Sequence, residues 1–554
     1  MKSGPANCRA VWKKSEKGGF WKFVERHPIL HKTLANIMAL QTALWPLMPI
    51  AHAGGNNIAI DGRTATSIAI QGSTTNITTK SQFGSNAYNS FSQFGVGSGN
   101  TVNLHVPNSA DNLINLVQGN ATSIDGTLNG VKNGKIGGNI YLLNPNGVVI
   151  GTGGQVNAGS LSLQTPTSSF LDSILNGDGT PNASAVGRVL DNTAPLSGAN
   201  VVVNGQINTL GAVRIGAGGV AVNGNISAGT RGYANMRTAV NLDGLLPATN
   251  TISQDASGRI VIGTPGKIRV AGKLDASGET GVRGGDINLK AGGDIEVVKG
   301  ARITASGSGS NSSGGNVIVF ADGTSTLEAG AKISSDAGVT GDGGFIEFSA
   351  KNVVDLQGGT LSAGATNGNI GAILIDPAIV NYTTDQSFNA TTTVEATNKI
   401  NVASNVTVQT TVNNANLTFR APAIILNSGA TVKTKNNTGD ITFETKIPAA
   451  VAGGTPTIPD AGSITLNGAT VSGKNVKLSA IGGTSATISL AGGSISGTNI
   501  AANASAVTNG GIGIKSSTAT VTVDGPTLTS TGAAAPDGVQ LTAEAVTIAS
   551  LLSA

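Results

Sequence analysis

Between residues 284 and 365 apolar and polar side chains alternate in short runs, and the runs recur at a fixed interval. Three segments show the unit: "GGDINLKAGGDIEVVKGARITASG" from Gly284, "GGNVIVFADGTSTLEAGAKISSDAG" from Gly314 and "GGFIEFSAKNVVDLQGGTLSAGA" from Gly343, whose starts lie 30 and 29 residues apart. Register on the Gly pair places Ile287/Leu289, Val317/Val319 and Ile346/Phe348 at equivalent positions. A second strand follows with Ile295/Val297, then only Leu327, then Val354/Leu356. A third brings Ile303, Ile333 and Leu361, each trailed two residues later by Ala305, Ser335 or Ala363. Period-2 alternation inside a period near 30 predicts a solenoid in which each repeat is one coil of three strands joined by Gly-containing corners. The glycine density and the absence of a 3.6-residue period exclude a helical repeat. A lone coil buries too few aliphatics to offset the ordering of its backbone, so the unit must be stacked.

Two segments break the alternation and are expected to leave the solenoid as small excursions. Residues 165–199 include "SSFLDSILNGDG", which suits a short helix; residues 230–258 include "YANMRTAVNLDGLL", read as a hairpin or loop. From residue 371 to 554 strands and Gly/Asn turns persist with looser spacing, as in "APAIILNSGATVKTKNNTGDITFET", and continuing β-helix is expected.

Composition changes this picture only once the chain is divided near residue 53. Residues 1–53 hold 8 of the 34 basic and 2 of the 30 acidic residues, so 26 basic and 28 acidic remain, a formal charge of −2. The pI near 9.0 therefore belongs to the leader and gives no support for nucleic-acid binding, which needs a clustered basic face. The leader has a long basic start, an apolar stretch from about Leu34 to Ile50, and Ala51-His52-Ala53 at its end. Small residues at Ala51 and Ala53 are what a signal peptidase inspects, so residues 1–53 read as an extended signal peptide, longer than the usual ~15–30 residues. The apolar stretch is short for a membrane span and is interrupted by Asn36, Pro46 and Pro49. Beyond residue 53 there is no cysteine. Oxidising compartments favour disulfides, so either the fold needs no staple or the chain must remain threadable through a second membrane.

Residues 83–165 carry "NSFSQFGV", "NLINLVQGNATSIDGTLNG", "NIYLLNPNGVVIG" and "VNAGSLSLQT" in that order. This stretch of about 80 residues resembles the N-terminal secretion domain of two-partner secretion exoproteins of the filamentous haemagglutinin type. The resemblance implies an all-β chain, a right-handed parallel β-helix. It also implies export by a dedicated outer-membrane β-barrel transporter with periplasmic POTRA domains. On it the chain divides into a signal peptide (1–53), a secretion or haemagglutination-activity domain (54–280) and a β-helical shaft (281–554). Asn144, Pro145, Asn146 and Gly147 match the family's Asn-Pro-Asn-Gly motif. The Asn-Pro-Asn-Leu tetrapeptide that many members carry upstream is missing; Val106-Pro107-Asn108-Ser109 does not match it. From the residues alone the tetrapeptide is a turn: Pro145 sets φ, Asn144 and Asn146 suit turn hydrogen bonding and strained dihedrals, and Gly147 permits positive φ. Setting a coil corner and contacting the transporter are both open roles.

Candidate chemistry adds little. Polysaccharide-cleaving β-helices need gathered carboxylates or a basic residue, whereas Asp286, Asp294 and Asp342 are scattered singly at corners and read as solvated turn residues. His105 stands without a Ser or Cys partner, and no other His or Cys follows the leader to build a transition-metal site. "GDGGFIEF" does not repeat as a calcium-binding nonapeptide would. No enzyme activity and no cofactor is expected. The expectation is a secreted or surface-held adhesin or haemagglutinin that passes through the periplasm and meets a host-cell or matrix receptor or glycan. Haem or haem-carrier binding, or a cytolysin or toxin carrier on the same route, are the alternatives.

Overall fold

The computed structural model describes residues 55–503 apart from 239–241, 243, 248–257, 448–456 and 484, and beyond 503 the backbone of four further strands and the end of a fifth. Ala51 and Ala53, with the rest of the leader, lie outside the described residues. The strands stack into three parallel ladders, each coil giving one strand to each: a parallel β-helix. In the coil used above to define the repeat these are Asp286–Ala291, Ile295–Val297 and Arg302–Thr304.

The register agrees with the repeat residue for residue. Ile287 pairs with Val317 and Val317 with Ile346; Leu289 pairs with Val319 and Val319 with Phe348. On the third ladder Ile303 pairs with Ile333, and Ile333 with Leu361. The gap in the second strand is filled by Ser325, which stands between Ile295 and Val354, fully buried, its hydroxyl donating to the Ser349 carbonyl at 2.7 Å. A buried hydroxyl that finds a carbonyl costs little, so the position tolerates it. The Gly pair that opens each repeat also has a physical reason. A Cβ on Gly285, Gly315, Gly344 or Gly371 would come within 1.8–2.1 Å of a carbonyl of the preceding coil. Only a residue without one lets the coils close to strand spacing there.

Inward positions form one continuous core from Ile77 to Ala502. Small aliphatics fill most layers, and Phe348, Tyr382, Phe388, Phe419 and Phe443 thicken it toward the C-terminal half, Phe419 and Phe443 stacking at 5.1 Å between centroids. Parallel ladders continue through Ala545–Ile548, as expected for the looser C-terminal region. The N-terminal end is different. Asn57–Ile60 runs antiparallel to Asn86–Val96, and Thr66–Gln71 forms an antiparallel hairpin with Thr74–Thr79, so the first coil is closed by reversed strands.

Both excursions are present. Residues 165–199 contain the short helix α1 (Ser168–Asp172), capped by Thr167, and also α2 (Ala183–Leu190), capped by Asn182 Oδ1 accepting from the amides of Ser184 and Ala185. The second excursion differs from the hairpin or loop read from its sequence: Thr230–Arg237 is a helix, α3. It has no side-chain cap, and Gly229 enters it at φ 68°. Its stability is tertiary, because Met236 packs with Ile136 and Leu242, and Gly232 lies so close to Thr209 that a Cβ would meet its carbonyl oxygen at 2.1 Å. Periodicity over eight residues could not reveal that.

Candidate functional site

The tetrapeptide joins a first-ladder strand, Asn139–Leu143, to a second-ladder strand, Val148–Ile150. The Gly147 amide donates to the Asn144 carbonyl at 3.1 Å, closing a four-residue turn with Pro145 and Asn146 at its centre. The Asn144 side-chain oxygen accepts from the Asn146 amide at 2.9 Å, the Asx contact that favours Asn at a turn's first position. Gly147 has φ 106°, and a Cβ there would stand 2.9 Å from the Asn200 carbonyl oxygen. The turn chemistry read at Asn144 and Gly147 is present in the backbone, whereas Asn146 does not adopt a positive φ.

What surrounds the turn is not visible in the sequence. Asn144 is fully buried, and its amide donates to the Asn120 carbonyl at 2.8 Å and Thr122 Oγ1 at 3.0 Å, both in the preceding coil. Its backbone amide donates forward to Gln164 O at 3.0 Å. Asn146, exposed, lays its amide on the Gly119 carbonyl at 2.6 Å. Pro145 is buried, and its carbonyl accepts from Ser197 Oγ at 2.8 Å, at the returning end of the first excursion. One corner thus ties together three successive coils and the excursion, and presents Asn146 alone to solvent.

The excursion itself covers the outer face of the first ladder. Tyr88, Ile114 and Tyr141 are in register, as are Ser90, Leu116 and Leu143; Ser90 bonds to Arg63 and Asp61, and the other five join a second apolar cluster with Phe170, Leu171, Ile174, Val186 and Val189. Both faces of Asn112–Val117 and of Asn139–Leu143 are therefore buried, and neither strand alternates between apolar and exposed polar positions. Burial pushes the Tyr88 hydroxyl up to about 12, and that of Tyr141 upward as well. Arg188 lies 5.3 Å over the Phe170 ring, and Arg63 and Gln118 reach Asp172 at 3.8 and 2.8 Å.

Two asparagine networks were missed. Inside the core, Thr66 donates to Asn89 Oδ1 at 2.8 Å, Asn89 to Asn115 Oδ1 at 3.0 Å, and Asn115 to the Tyr141 carbonyl at 3.0 Å, linking the reversed N-terminal strands to the coils. Along the outer face of the third ladder, Asn103, Asn129, Asn157 and Asn208 each donate to the Asn one coil before, beginning at Asn76, at 3.0–3.2 Å. The helix α3 extends this column, Asn235 donating to Ser227 Oγ at 2.8 Å. Recurrence of Asn near the coil period was the available signal. His105 joins the column's start, Nε2 lying 2.9 Å from Asn76 Oδ1, and its burial lowers its pKa.

Of the carboxylates read as solvated corner residues, Asp342 is exposed and Asp286 and Asp294 are half-exposed, and each also contacts a neighbouring coil. Asp294 pairs with Lys267 at 2.7 Å and accepts from the Thr324 amide, and both contacts hold its carboxyl below the usual range. Asp286 lies 3.5 Å from Arg259, and Asp342 accepts from the Asn369 amide at 2.8 Å. Val106-Pro107-Asn108-Ser109 occupies a different kind of corner, between third- and first-ladder strands. Among the described residues no group of three His, Cys, Asp or Glu side chains could hold a metal ion, and no helix is long and apolar enough to cross a membrane.

Residues 56–319 match the family model of the TPS secretion domain. No curated protein matches the chain. Among solved structures the chain is similar to the crystal structure of the HMW1 secretion domain from Haemophilus influenzae, at 14% identity and a TM-score of 0.38, over 76% of this chain and 99% of that one. A TPS secretion domain implies an exoprotein secreted across the outer membrane by a partner transporter.

Proposed function

We propose that this chain, with its TPS secretion domain at residues 56–319, is a non-enzymatic adhesin that reaches the cell surface or medium through the periplasm and a POTRA-containing outer-membrane β-barrel. The observation behind this reading is the continuation of the ladders beyond the secretion domain, as far as residue 548, which gives long outer faces. Such faces suit recognition of a cell-surface or matrix receptor, because side chains repeated at strand spacing can be presented over many coils.

In this reading the Asn144–Gly147 corner serves export by holding the first coils and the excursion in one arrangement. Asn144 is the tie, and Asn146 is the only member that can touch a partner directly. Co-expression with a cognate transporter, followed by quantification of protein in the medium, tests both parts. Asn144→Ala should lower secretion at least five-fold, and Asn146→Ala should lower it less. Normal secretion of both variants would remove the motif's role. Adhesion is tested separately, by binding of purified full chain to a panel of animal, plant and fungal cells; binding to none of them would overturn the adhesin reading.

A further inference from the structure

Four successive corners between third- and first-ladder strands, residues 276–285, 305–315, 335–344 and 363–371, are long, and they stack on one another. Gly284 N donates to Ser313 O at 2.9 Å, Gly314 N to Asp342 O at 2.9 Å, and Gly343 N to Asn369 O at 2.9 Å. Further out, Gly278 N donates to Ser306 O at 3.0 Å, Gly307 N to Asp336 O at 2.8 Å, and Ala337 N to Gly364 O at 2.8 Å. The corners therefore form a continuous wall beside the outer face of the first ladder. In the next coil only residues 389 and 390 separate the two strands, and the wall stops.

At the foot of this wall runs an open groove of about 660 Å³. Its floor is one register column, Asn316, Phe345, Ala372 and Thr391. Arg283 and Asp342 project from the wall side. From Arg283 to Thr391 the groove crosses four coil steps, about 19 Å at strand spacing, close to the length of about four pyranose units. Asn316 Nδ2 donates to Asp286 Oδ1 at 3.0 Å, and Arg283 Nε donates to the Gly314 carbonyl at 3.1 Å, so planar polar groups are held in place along it.

We propose that this groove binds a neutral, unbranched oligosaccharide of about four residues, which deepens and rests on the adhesin reading above. The floor strands are hydrogen-bonded on both sides, so a peptide cannot add to them as a strand; recognition must come from side chains. A half-exposed Phe ring offers a platform for the C–H face of a sugar, and the flanking Asn, Asp and Arg offer paired donors and acceptors to vicinal hydroxyls. Arg283 on the groove is 3.9 Å from Asp286, which Arg259 also approaches at 3.5 Å, and Asp342 stands on the rim, so the charges balance and leave no cationic surface to draw a polyanionic chain.

Calorimetric titration of the purified full chain with cellotetraose, laminaritetraose and mannotetraose, with the matching disaccharides, and with tetragalacturonate tests this. At least one neutral tetrasaccharide should bind, about ten-fold more tightly than its disaccharide and more tightly than tetragalacturonate. Phe345→Ala and Asp342→Ala should each weaken binding ten-fold or more with an unchanged circular dichroism spectrum. No binding by any neutral tetrasaccharide, preference for the uronate, or equal binding by the folded variants would overturn the groove. Wild-type adhesion to cells without glycan binding would sink the groove alone, whereas loss of all adhesion would sink the reading on which it rests.

Discussion

One register column on the outer face of the first ladder passes through Ile114 in an N-terminal coil and Ile318 six coils later, yet the two residues live in different environments. Ile114 is fully buried beneath the helices of the first excursion, while Ile318 is half-exposed. The strands around them carry similar residues, "NLINLV" and "NVIVFA". The difference is supplied by 35 residues inserted at 165–199, far along the chain. An outward side chain on a solenoid is thus core or surface according to whether some other segment folds back over it.

Three experiments on variants would break or sharpen that contrast. The largest effect is expected from Ile114→Ala, which should cost about 3 kcal/mol because a cavity is left under a closed cover. Ile318→Ala, in the same column, should cost less than about 1 kcal/mol. Chemical denaturation of the two variants measures the gap, and equal losses would mean that the excursion does not seal the face.

Asn144→Ala should follow at about 2 kcal/mol, since it strips partners from the buried Thr122 hydroxyl and the Asn120 carbonyl and removes the Asx contact. Asn146→Ala, losing bonds at an exposed position, should stay below about 1 kcal/mol. A similar cost for both would show that the corner is not held from beneath.

The smallest effect concerns the bare region, where Asp376 follows the first-ladder strand Ala372–Ile375. Burial, then the charges of Glu395 and Glu347, push its carboxyl from 3.8 up to about 6. A raised carboxyl pKa means that the folded chain favours the protonated form. That contribution is complete below the unfolded value and is lost as pH rises through about 6. Asp376→Asn should therefore leave stability at pH 4 nearly unchanged and raise it at pH 7 by about 1 kcal/mol, allowing for solvent screening. Thermal melts at the two pH values read this directly, and a gain at pH 4 alone would reverse the assignment.

Much of this architecture is legible from residue order. The Gly pairs, the alternating Ile287/Leu289 type of couplet and the turn chemistry of Asn144–Gly147 are local, and each corresponds to a definite backbone arrangement. Helix α3 was not legible, because its Tyr233 and Met236 are stabilised by packing rather than by caps or periodicity. The inter-coil roles of Asp294 and Asp342 were equally hidden, since their partners Lys267 and Asn369 are one coil away, nearly 30 residues in sequence.

The sequence by itself determined the repeat, the parallel register and the corner type, since side-chain alternation and dihedral preference act within a few residues. Only the tertiary structure decided which outward faces are covered, how tightly Asn144 is held, and where stacked corners leave a groove. Those outcomes depend on segments meeting across coils, and burial is a property of the meeting rather than of either segment.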